Sequence, residues 1–222
     1  MAVTPRVDAL LSPSPSTSAT TAGSVPASPD WRTCLPVLQG SVVVLRELRI
    51  SDAPALLAAF GSPEVTRLIS PPPPTLEGFQ KFVAWTQRQR EAGQSFAFGI
   101  TQKDSDTVVG LFQVRALQPG FDIAEWGFAL GSEHWGTGLF MEAAGLVLDF
   151  VFDGVGVHRL EARAALKNGR GNGALRKIGA VQEGVLRRSF LRHGEYHDQV
   201  LWSILDEDWF GVTVRPVAGL IH

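Results

Sequence analysis

Residues 120–150 read GFDIAEWGFALGSEHWGTGLFMEAAGLVLDF, and this stretch decides the fold. Its first part is rich in aromatic and small apolar residues and predicts a β-strand over 121–131. Its last part is an apolar run that predicts a helix over 138–153. Between them lies the loop Trp135-Gly136-Thr137-Gly138-Leu139-Phe140. The sequence therefore predicts a strand that passes through a glycine-containing loop into an apolar helix.

The loop has the chemistry of an anion site. The first amides of a helix have no partner within the helix, and the helix dipole adds partial positive charge at that end. Gly136 and Gly138 would let phosphate oxygens approach the backbone closely. The same pattern also occurs in turns that only reverse the chain, so the loop alone leaves both interpretations open. The sequence contains neither a GxxxxGK[ST] run nor a GxGxxG after the first strand of a βαβ unit.

Further strands and helices are predicted on both sides of this stretch. Those before it are a strand over 42–48, a helix that Ser51 caps and Gly61 ends, a helix that Thr75 caps and Gly93 ends, and strands over 95–103 and 107–117. Those after it are a strand over 158–166, a short helix over 170–178, and a hairpin of strands over 180–192 and 195–205. We therefore predict an α+β fold with about seven strands.

The ends of the chain differ from this body in composition. Residues 1–38 are rich in Pro, Ser, Thr and Ala, which predicts a flexible arm. The folded domain is predicted over 39–211, and a short tail over 212–222.

Bulk properties exclude several classes of protein. The chain has 222 residues, of which 45% are hydrophobic, and a formal net charge of −2, so no global field attracts nucleic acid or an anionic membrane. No apolar window is long enough to span a membrane, and the N-terminus lacks the apolar core of a signal peptide. The single cysteine, Cys34, cannot form an internal disulfide. We expect a cytoplasmic protein that binds neither nucleic acid nor membrane, and we predict no metal site.

Three stretches together resemble the GNAT acetyltransferases, and within them the branch of the ribosomal-protein alanine acetyltransferases. Ala124 to Leu130 followed by Trp135 to Ala143 resembles that branch's strand, WGxGxxxEA loop and helix. His158 to Ala162 is similar to its next strand. Asn168, with Gly179 eleven residues later, resembles its Asn-led helix, and Asp198 to Leu205 its last strand. The match covers about residues 42–210 in order and spacing.

The resemblance implies a GNAT fold, in which a mixed, mostly antiparallel sheet is splayed in the middle and carries helices on both faces. It also implies acetyl-CoA as cofactor, with its pantetheine arm along the strand that ends Phe128-Ala129-Leu130. The pyrophosphate would lie on the loop from Trp135 to Phe140, including Thr137 and Leu139. Asn168 and Lys177 are the other expected contacts.

A basic segment would suit such a cofactor. Between His158 and Arg192 the chain has nine basic residues against Glu161 and Glu183: Arg159, Arg163, Lys167, Arg170, Arg176, Lys177, Arg187, Arg188 and Arg192. A solvated strand face is the alternative interpretation for most of them.

The resemblance implies direct attack of a neutral amine on a thioester, so a base or a water chain must accept a proton. Glu125 is our first candidate, because strand alternation places it on the face of Gly127 and Ala129. The alternative is a carboxylate that orders the strand by hydrogen bonds to the neighbouring backbone. Glu142, in the first turn of the loop helix, is favoured as a structural cap.

The proton donor to the leaving thiolate departs from the family's pattern. Many members have a tyrosine seven positions after the leading asparagine, where this chain has Leu175. Tyr196 is the only tyrosine, and it is either the acid or a packing residue at a sheet edge. A third alternative is that no acid is needed, because the thiol of coenzyme A is acidic enough to leave without help. Phe140, Gly171 and Ala180 also replace residues usual in the family.

The predicted function is transfer of an acetyl group from acetyl-CoA to a primary amine, either a protein N-terminus or a small molecule. The alternative is a GNAT-shaped module that binds acyl-CoA with little or no catalysis. Segments 62–75 and 186–198 would contact the acceptor. Whether the protein forms a homodimer is left open.

Overall fold

The computed structural model describes residues 30–213, and these contain one mixed sheet of eight strands. In chain order the strands are β1 (Leu38–Gln39), β2 (Val43–Glu47), β3 (Ser95–Gln102), β4 (Val108–Ala116), β5 (Ile123–Leu130), β6 (Arg159–Ala165), β7 (Val181–Arg192) and β8 (Glu195–Leu205). Their order across the sheet is β1-β2-β3-β4-β5-β6-β8-β7. Every neighbouring pair is antiparallel except β5 and β6, which are parallel.

Six α-helices accompany the sheet within residues 30–213. They are α1 (Ala53–Phe60), α2 (Pro63–Thr66), α3 (Leu76–Glu91), α4 (Leu139–Asp149), α5 (Gly169–Lys177) and α6 (Asp206–Thr213). The first three pack on one face of the sheet, whereas α4 and α5 pack on the other. No helix in this part of the chain has the length and apolar character needed to cross a bilayer.

The alternation of β5 divides its side chains between the two cores. Trp126, Phe128 and Leu130 are buried in the core beneath α4, where Phe112 of β4 stacks on Trp126 with ring centroids 5.7 Å apart. Ala129 points the other way, into the core beneath α1 and α3. Because both faces are covered, β5 is buried along almost its whole length.

The splay of the sheet lies between β5 and β6. Their ladder has only three pairs, from Ile123 with Arg159 to Glu125 with Glu161. Each strand then continues for several residues along its other neighbour, β5 along β4 and β6 along β8. Beyond Glu125 the inner edge of β5 is therefore free of strand pairing with β6.

Several sequence predictions need correction. The sheet has eight strands rather than about seven, because the short β1 pairs with β2. The predicted arm extends too far, since Trp31 and Leu35 are buried and the Trp31 ring lies against Phe96, at 5.2 Å between centroids. The rest of the arm, residues 1–29, and residues 214–222 of the tail lie outside the described residues.

The helix starts were predicted with mixed success. Thr75 caps α3 as expected, its hydroxyl accepting a hydrogen bond from the Gly78 amide at 3.1 Å. The prediction of Ser51 as a cap is wrong, because Ser51 lies inside a 3-10 turn and Asp52 precedes α1. The Asp52 carboxylate instead accepts two hydrogen bonds from Arg46, both at 2.8 Å. The predicted helix over 138–153 is α4 followed by a π-helical turn over 150–155.

Candidate active site

The glycine loop connects β5 to α4 as the sequence predicts. Gly136 has φ +77° and Gly138 has φ +87°, and Gly138 is the residue before the first turn of α4. Side-chain-bearing residues are strained at such angles, so the backbone path itself requires glycine at both positions. A Cβ atom at either position would meet no atom within 4 Å, which leaves open space above the loop.

A cavity of about 200 Å³, hereafter the loop cavity, opens over these glycines. Arg170 and Lys177 of α5 line it from the opposite side. The start of α4 therefore faces two cations. The free amides of α4, its helix dipole and the basic side chains of α5 all favour an anion at this place. Other predicted residues in its wall are Leu130, Trp135 and Phe140.

Thr137 and Leu139 were also predicted in this loop, but the structure gives them internal roles. The Thr137 hydroxyl donates to the His134 carbonyl at 2.9 Å and lies 3.4 Å from the Leu139 amide, from which it accepts. The Leu139 side chain is buried in the core. Their side chains hold the loop in shape, and neither residue lines the loop cavity.

Trp135 links the end of β5 to the basic helix α5. Its indole N–H donates to the Leu130 carbonyl at 2.8 Å, and the Arg170 guanidinium lies over its ring at 3.9 Å from the centroid. This stacking fixes a cation at the mouth of the loop cavity. The sequence had identified Arg170 only as one of nine basic residues.

Several residues of that basic segment have partners or positions away from the loop cavity. Arg159 forms ion pairs with Glu161 and Glu183, and Arg163 with Glu125 and Glu161. Lys167 lines a separate polar cavity of about 230 Å³ next to the loop cavity. On β6, Arg159 and Arg163 are ion-paired and not simply solvated. On α5, Arg170 and Lys177 line the loop cavity, whereas Arg176 lies over the Trp202 ring.

Glu125 is buried, with 3% of its surface exposed, on β5 next to the splay. One carboxylate oxygen, Oε2, accepts from Arg115 on the paired strand β4. The other, Oε1, lies 3.5 Å from a guanidinium nitrogen of Arg163 on β6. Two cations therefore hold this carboxylate at the point where β5 and β6 separate.

Asn168 caps α5, and its side-chain oxygen accepts from the Gly171 amide at 2.9 Å. It also lines the polar cavity. The sequence analysis missed Asn172, whose amide donates to the carbonyls of Ala165 and Asn168 and accepts from the Trp202 indole at 2.9 Å. These bonds fix α5 against β6 and β8 and thereby set the position of its basic residues.

Tyr196 lies near the tip of the β7–β8 hairpin, opposite Leu191, with 59% of its surface exposed. It does not line the loop cavity, the polar cavity or the cavity on the opposite face of the sheet that is described below. Leu175, at the position where many family members have tyrosine, is 1% exposed in the core beneath α4 and α5. The structure therefore does not bring a tyrosine to the candidate site within residues 30–213.

Glu142 is a structural residue, as the sequence favoured, but with different partners. Its carboxylate accepts from the amides of Ser41 and Val42 and from the Ser41 hydroxyl, and so ties α4 to the turn between β1 and β2. The hydrogen bond from the Ser41 hydroxyl is the largest of the effects that lower the pKa of Glu142. A Cβ atom at Gly40 would lie 2.6 Å from this carboxylate, so a larger residue there would require the Glu142 side chain to shift.

The three departures from the family pattern are accommodated. The Phe140 ring packs on Phe128 and Phe112, with centroids 4.7 and 5.7 Å away, so it extends the aromatic core as well as lining the loop cavity. Gly171 donates its amide to the cap of α5. Ala180 is buried after the helix.

A third cavity, hereafter the apolar cavity, lies on the opposite face of the sheet. Its volume is about 500 Å³, and its walls come from α1, α3, the proline segment 71–74 and strands β4 and β5. Gly127, Phe128 and Ala129 of the free β5 edge form part of its wall. Of the two segments predicted to contact the acceptor, 62–75 lines this cavity with its residues 69–74. The second segment, 186–198, contacts the first through Arg192, which donates to the Thr66 carbonyl at 3.1 Å.

Comparison with known protein families identifies the family to which this fold belongs. The acetyltransferase (GNAT) domain family matches residues 43–181, which span the sheet from β2 to the start of β7 and include the whole glycine loop. The chain belongs to the GNAT acetyltransferase family. The glycine loop, the splayed strands and the two-sided helix layers are thus those of a GNAT enzyme.

Relatives of this acetyltransferase carry related names. It is 29% identical over 175 residues to the uncharacterized N-acetyltransferase YoaA of Bacillus subtilis, covering 77% of this chain and 97% of the relative. It is 25% identical over 133 residues to the ribosomal protein uS5 alanine N-acetyltransferase of Escherichia coli, covering 60% of this chain and 69% of that protein.

A solved structure supports the fold. The microcin C7 self-immunity acetyltransferase MccE, in complex with acetyl-CoA and AMP, aligns with a TM-score of 0.67 over 75% of this chain and 93% of its own. The sequences are 16% identical, so this comparison concerns the fold alone.

Proposed function

We propose that this acetyltransferase transfers an acetyl group from acetyl-CoA to a primary amine, on a protein N-terminus or a small molecule. The loop cavity is the observation that carries the proposal. It combines the amide-rich start of α4 at Gly136 and Gly138 with Arg170 and Lys177 on α5. A diphosphate group is the chemical match for amides and two cations that converge on one cavity.

The residues present fit the cofactor. At both glycines a side chain would project into the open space of the loop cavity, and the positive φ angles exclude most side chains there in any case. The diphosphate would therefore be held by backbone amides between Gly136 and Phe140, with Arg170 and Lys177 neutralising its charge. MccE, which shares the fold, is solved with acetyl-CoA bound.

The free edge of β5 supports a place for the pantetheine arm. Pairing with β6 ends at Glu125, and the strand continues through Phe128 and Ala129 to Leu130. An extended chain with amide groups can hydrogen-bond to such an edge as an added strand does. The edge leads from the loop cavity towards the wall of the apolar cavity, so it connects a phosphate site with a site for the acceptor.

When bound, acetyl-CoA would supply a thioester as the acetyl donor. Attack by the acceptor's neutral amine would form the C–N bond, break the C–S bond and release one proton to a base or a water chain, and the departing thiolate would take up one proton to leave as the CoA thiol. The protein's contribution is to bind and orient the reactants. The glycine loop and α5 would hold the diphosphate of acetyl-CoA, and the β5 edge would hold its pantetheine arm.

For Glu125 we propose the structural alternative that the sequence left open. Its carboxylate is already paired with Arg115 and Arg163, which come from the two strands on either side of β5. These pairs join β4, β5 and β6 at the residue where the splay begins. Glu125 is therefore a positioning residue for the free edge rather than the group that accepts the proton.

The experiment is a measurement of CoA release with acetyl-CoA and a panel of primary amines, together with thermal stability in the presence of acetyl-CoA, ATP or NAD. We expect stabilisation by acetyl-CoA alone and amine-dependent CoA release. Stabilisation without release for any amine would favour the binding module instead. No stabilisation at saturating acetyl-CoA would contradict the proposal. A cytoplasmic location stays a prediction of the sequence, and whether the protein forms a homodimer stays open.

A further inference from the structure

The apolar cavity has a consistent chemical character. Its walls are phenylalanine, proline and aliphatic side chains, including Phe60, Phe79 and Phe82 from the helices. None of its lining residues is charged. Its volume of about 500 Å³ lies within the range of roughly 300–1,000 Å³ typical of small-molecule sites. Such a wall favours an apolar group of moderate size.

One polar side chain in the cavity is conspicuous by its position. Gln113 on β4 is 6% exposed, lines the cavity and pairs across the sheet with Gly127 of the β5 edge. The hydrogen bonds within residues 30–213 include none from its side-chain amide, and neither amide atom is a fully buried unpaired atom. The amide is therefore open to the cavity, where it can hydrogen-bond to a ligand that carries a donor or an acceptor.

The surroundings disfavour a ligand with several positive charges. The nearest buried acid along β5 on this face, Glu125, is paired with Arg115 and Arg163. Glu64 lies in the polar cavity, among Arg67, Lys167 and Arg170. A second ammonium group that entered the apolar cavity would therefore be buried without a counter-charge.

We propose that the apolar cavity binds the acceptor, and that the acceptor is a primary monoamine carried on an aromatic or aliphatic body. Gln113 accepts a hydrogen bond from the amine N–H through Oε1 and holds it at the β5 edge, while the phenylalanines contact the body. This inference rests on the proposed function and narrows its acceptor class.

The test compares two acceptors, phenethylamine and spermidine, by CoA release from acetyl-CoA. For the wild-type protein we expect kcat/KM for phenethylamine to exceed that for spermidine by about tenfold or more, because only spermidine buries unpaired charge. Phe82→Asp places a carboxylate in the cavity wall and should lower kcat/KM for phenethylamine by about tenfold while raising it for spermidine. Gln80→Asp adds the same charge on the exposed side of α3 and should change neither.

Gln113→Leu tests the polar contact separately. It keeps the size of the side chain and removes the amide, so we expect KM for phenethylamine to rise about fivefold or more with acetyl-CoA binding unchanged. Equal KM values in this variant and the wild type would overturn the role of Gln113.

Other outcomes overturn the inference while the proposed function stands. Spermidine turnover equal to or above that of phenethylamine would do so. So would a wild-type preference for hexanoyl-CoA over acetyl-CoA that Phe82→Asp abolishes, because the cavity would then hold the acyl chain. If acetyl-CoA binds but no amine releases CoA, the proposed function fails. Calorimetric titration of phenethylamine then decides the inference alone, with binding weakened by Phe82→Asp supporting it and no binding contradicting it.

Discussion

The loop cavity and the apolar cavity lie on opposite faces of one sheet and are built in opposite ways. The loop cavity is defined by backbone, with two glycines at positive φ and two cations from α5. The apolar cavity is defined by side chains from α1, α3, the proline segment and two strands. We propose the first for the diphosphate of acetyl-CoA and the second for the body of the acceptor. Cofactor binding should therefore respond to backbone changes and acceptor choice to side-chain changes.

The largest effect is expected at Gly138. Gly138→Glu forces a side chain onto a backbone with φ +87° and places a carboxylate where the phosphates would lie. We expect the affinity for acetyl-CoA to fall by about 100-fold or more, measured by calorimetry. Gly145→Glu, on the same helix with no atom within 4 Å of the added Cβ, is the matched control and should bind normally. Retained affinity in Gly138→Glu would show that the phosphates bind elsewhere.

Glu125→Gln tests the ion pairs at the point where β5 and β6 separate. The variant leaves Arg115 and Arg163 without their shared counter-charge, so we expect a loss of stability of about 3 kcal/mol and a fall of about tenfold in kcat/KM. For a positioning residue the pH–rate profile keeps its shape at a lower rate. A profile that loses its dependence on pH would instead identify Glu125 as the base. Glu91→Gln, at an exposed carboxylate near the end of α3 and outside this ion-pair network, is the control and should change neither quantity.

Lys177 tests how much the basic side chains of α5 contribute to cofactor affinity in the loop cavity. Lys177→Gln removes one of the two cations in the loop cavity, and the affinity for acetyl-CoA should fall about fivefold, more at low salt than at high salt. Acceptor selectivity should stay as in the wild type. Arg187→Gln, on the exposed part of β7, removes the same charge away from both cavities and should have no effect. Equal losses in the two variants would indicate a general field instead of a site.

Glu183 tests whether the closed end of the splay, where Arg159 of β6 still pairs with β5, is held by charge. The hydrogen bonds from Arg159, and then that from Ser203, lower the pKa of Glu183 from 4.5 to about 2. A lowered pKa means that the carboxylate stabilises the fold fully above pH 4.5 and that this contribution is lost as the pH falls towards 2. Because the pair is partly exposed, Glu183→Gln should cost about 0.5–1 kcal/mol at pH 7.

The measurement for Glu183 is urea denaturation of both proteins between pH 7 and pH 2. The difference in the free energy of unfolding should vanish at the acidic end. A difference that persists at pH 2 would assign it to packing. Glu195→Gln, at an exposed site on β8, should match the wild type throughout.

The smallest effect is expected at Tyr196. It is exposed and lines neither cavity, so Tyr196→Phe should change kcat by less than about twofold. A loss of about 100-fold would identify it as the proton donor that the sequence suggested and would require the hairpin to move towards the splay.

The same comparison explains what the sequence could predict. Most strand and helix segments and the glycine loop follow from local patterns, and Lys177 follows from the family resemblance. Of the predicted loop residues, Trp135, Gly136, Gly138 and Phe140 line one cavity together with Lys177. The apolar cavity is assembled from residues as distant as Phe60 and Ala129, and periodicity does not reveal which apolar side chains leave a space between them. The ion pairs of Glu125 depend on cross-strand register, which the sequence left open. Trp31 and Leu35 were missed because they belong to a short apolar segment attached to a polar arm.

The most direct test of the central claim is an NMR titration of the ¹⁵N-labelled protein with acetyl-CoA. The account predicts that the largest amide shift changes fall on residues 136–140, with smaller changes along 127–130 and at Lys177. Changes concentrated in the segment 62–75 or on the β7–β8 hairpin, with the loop amides unaffected, would contradict it.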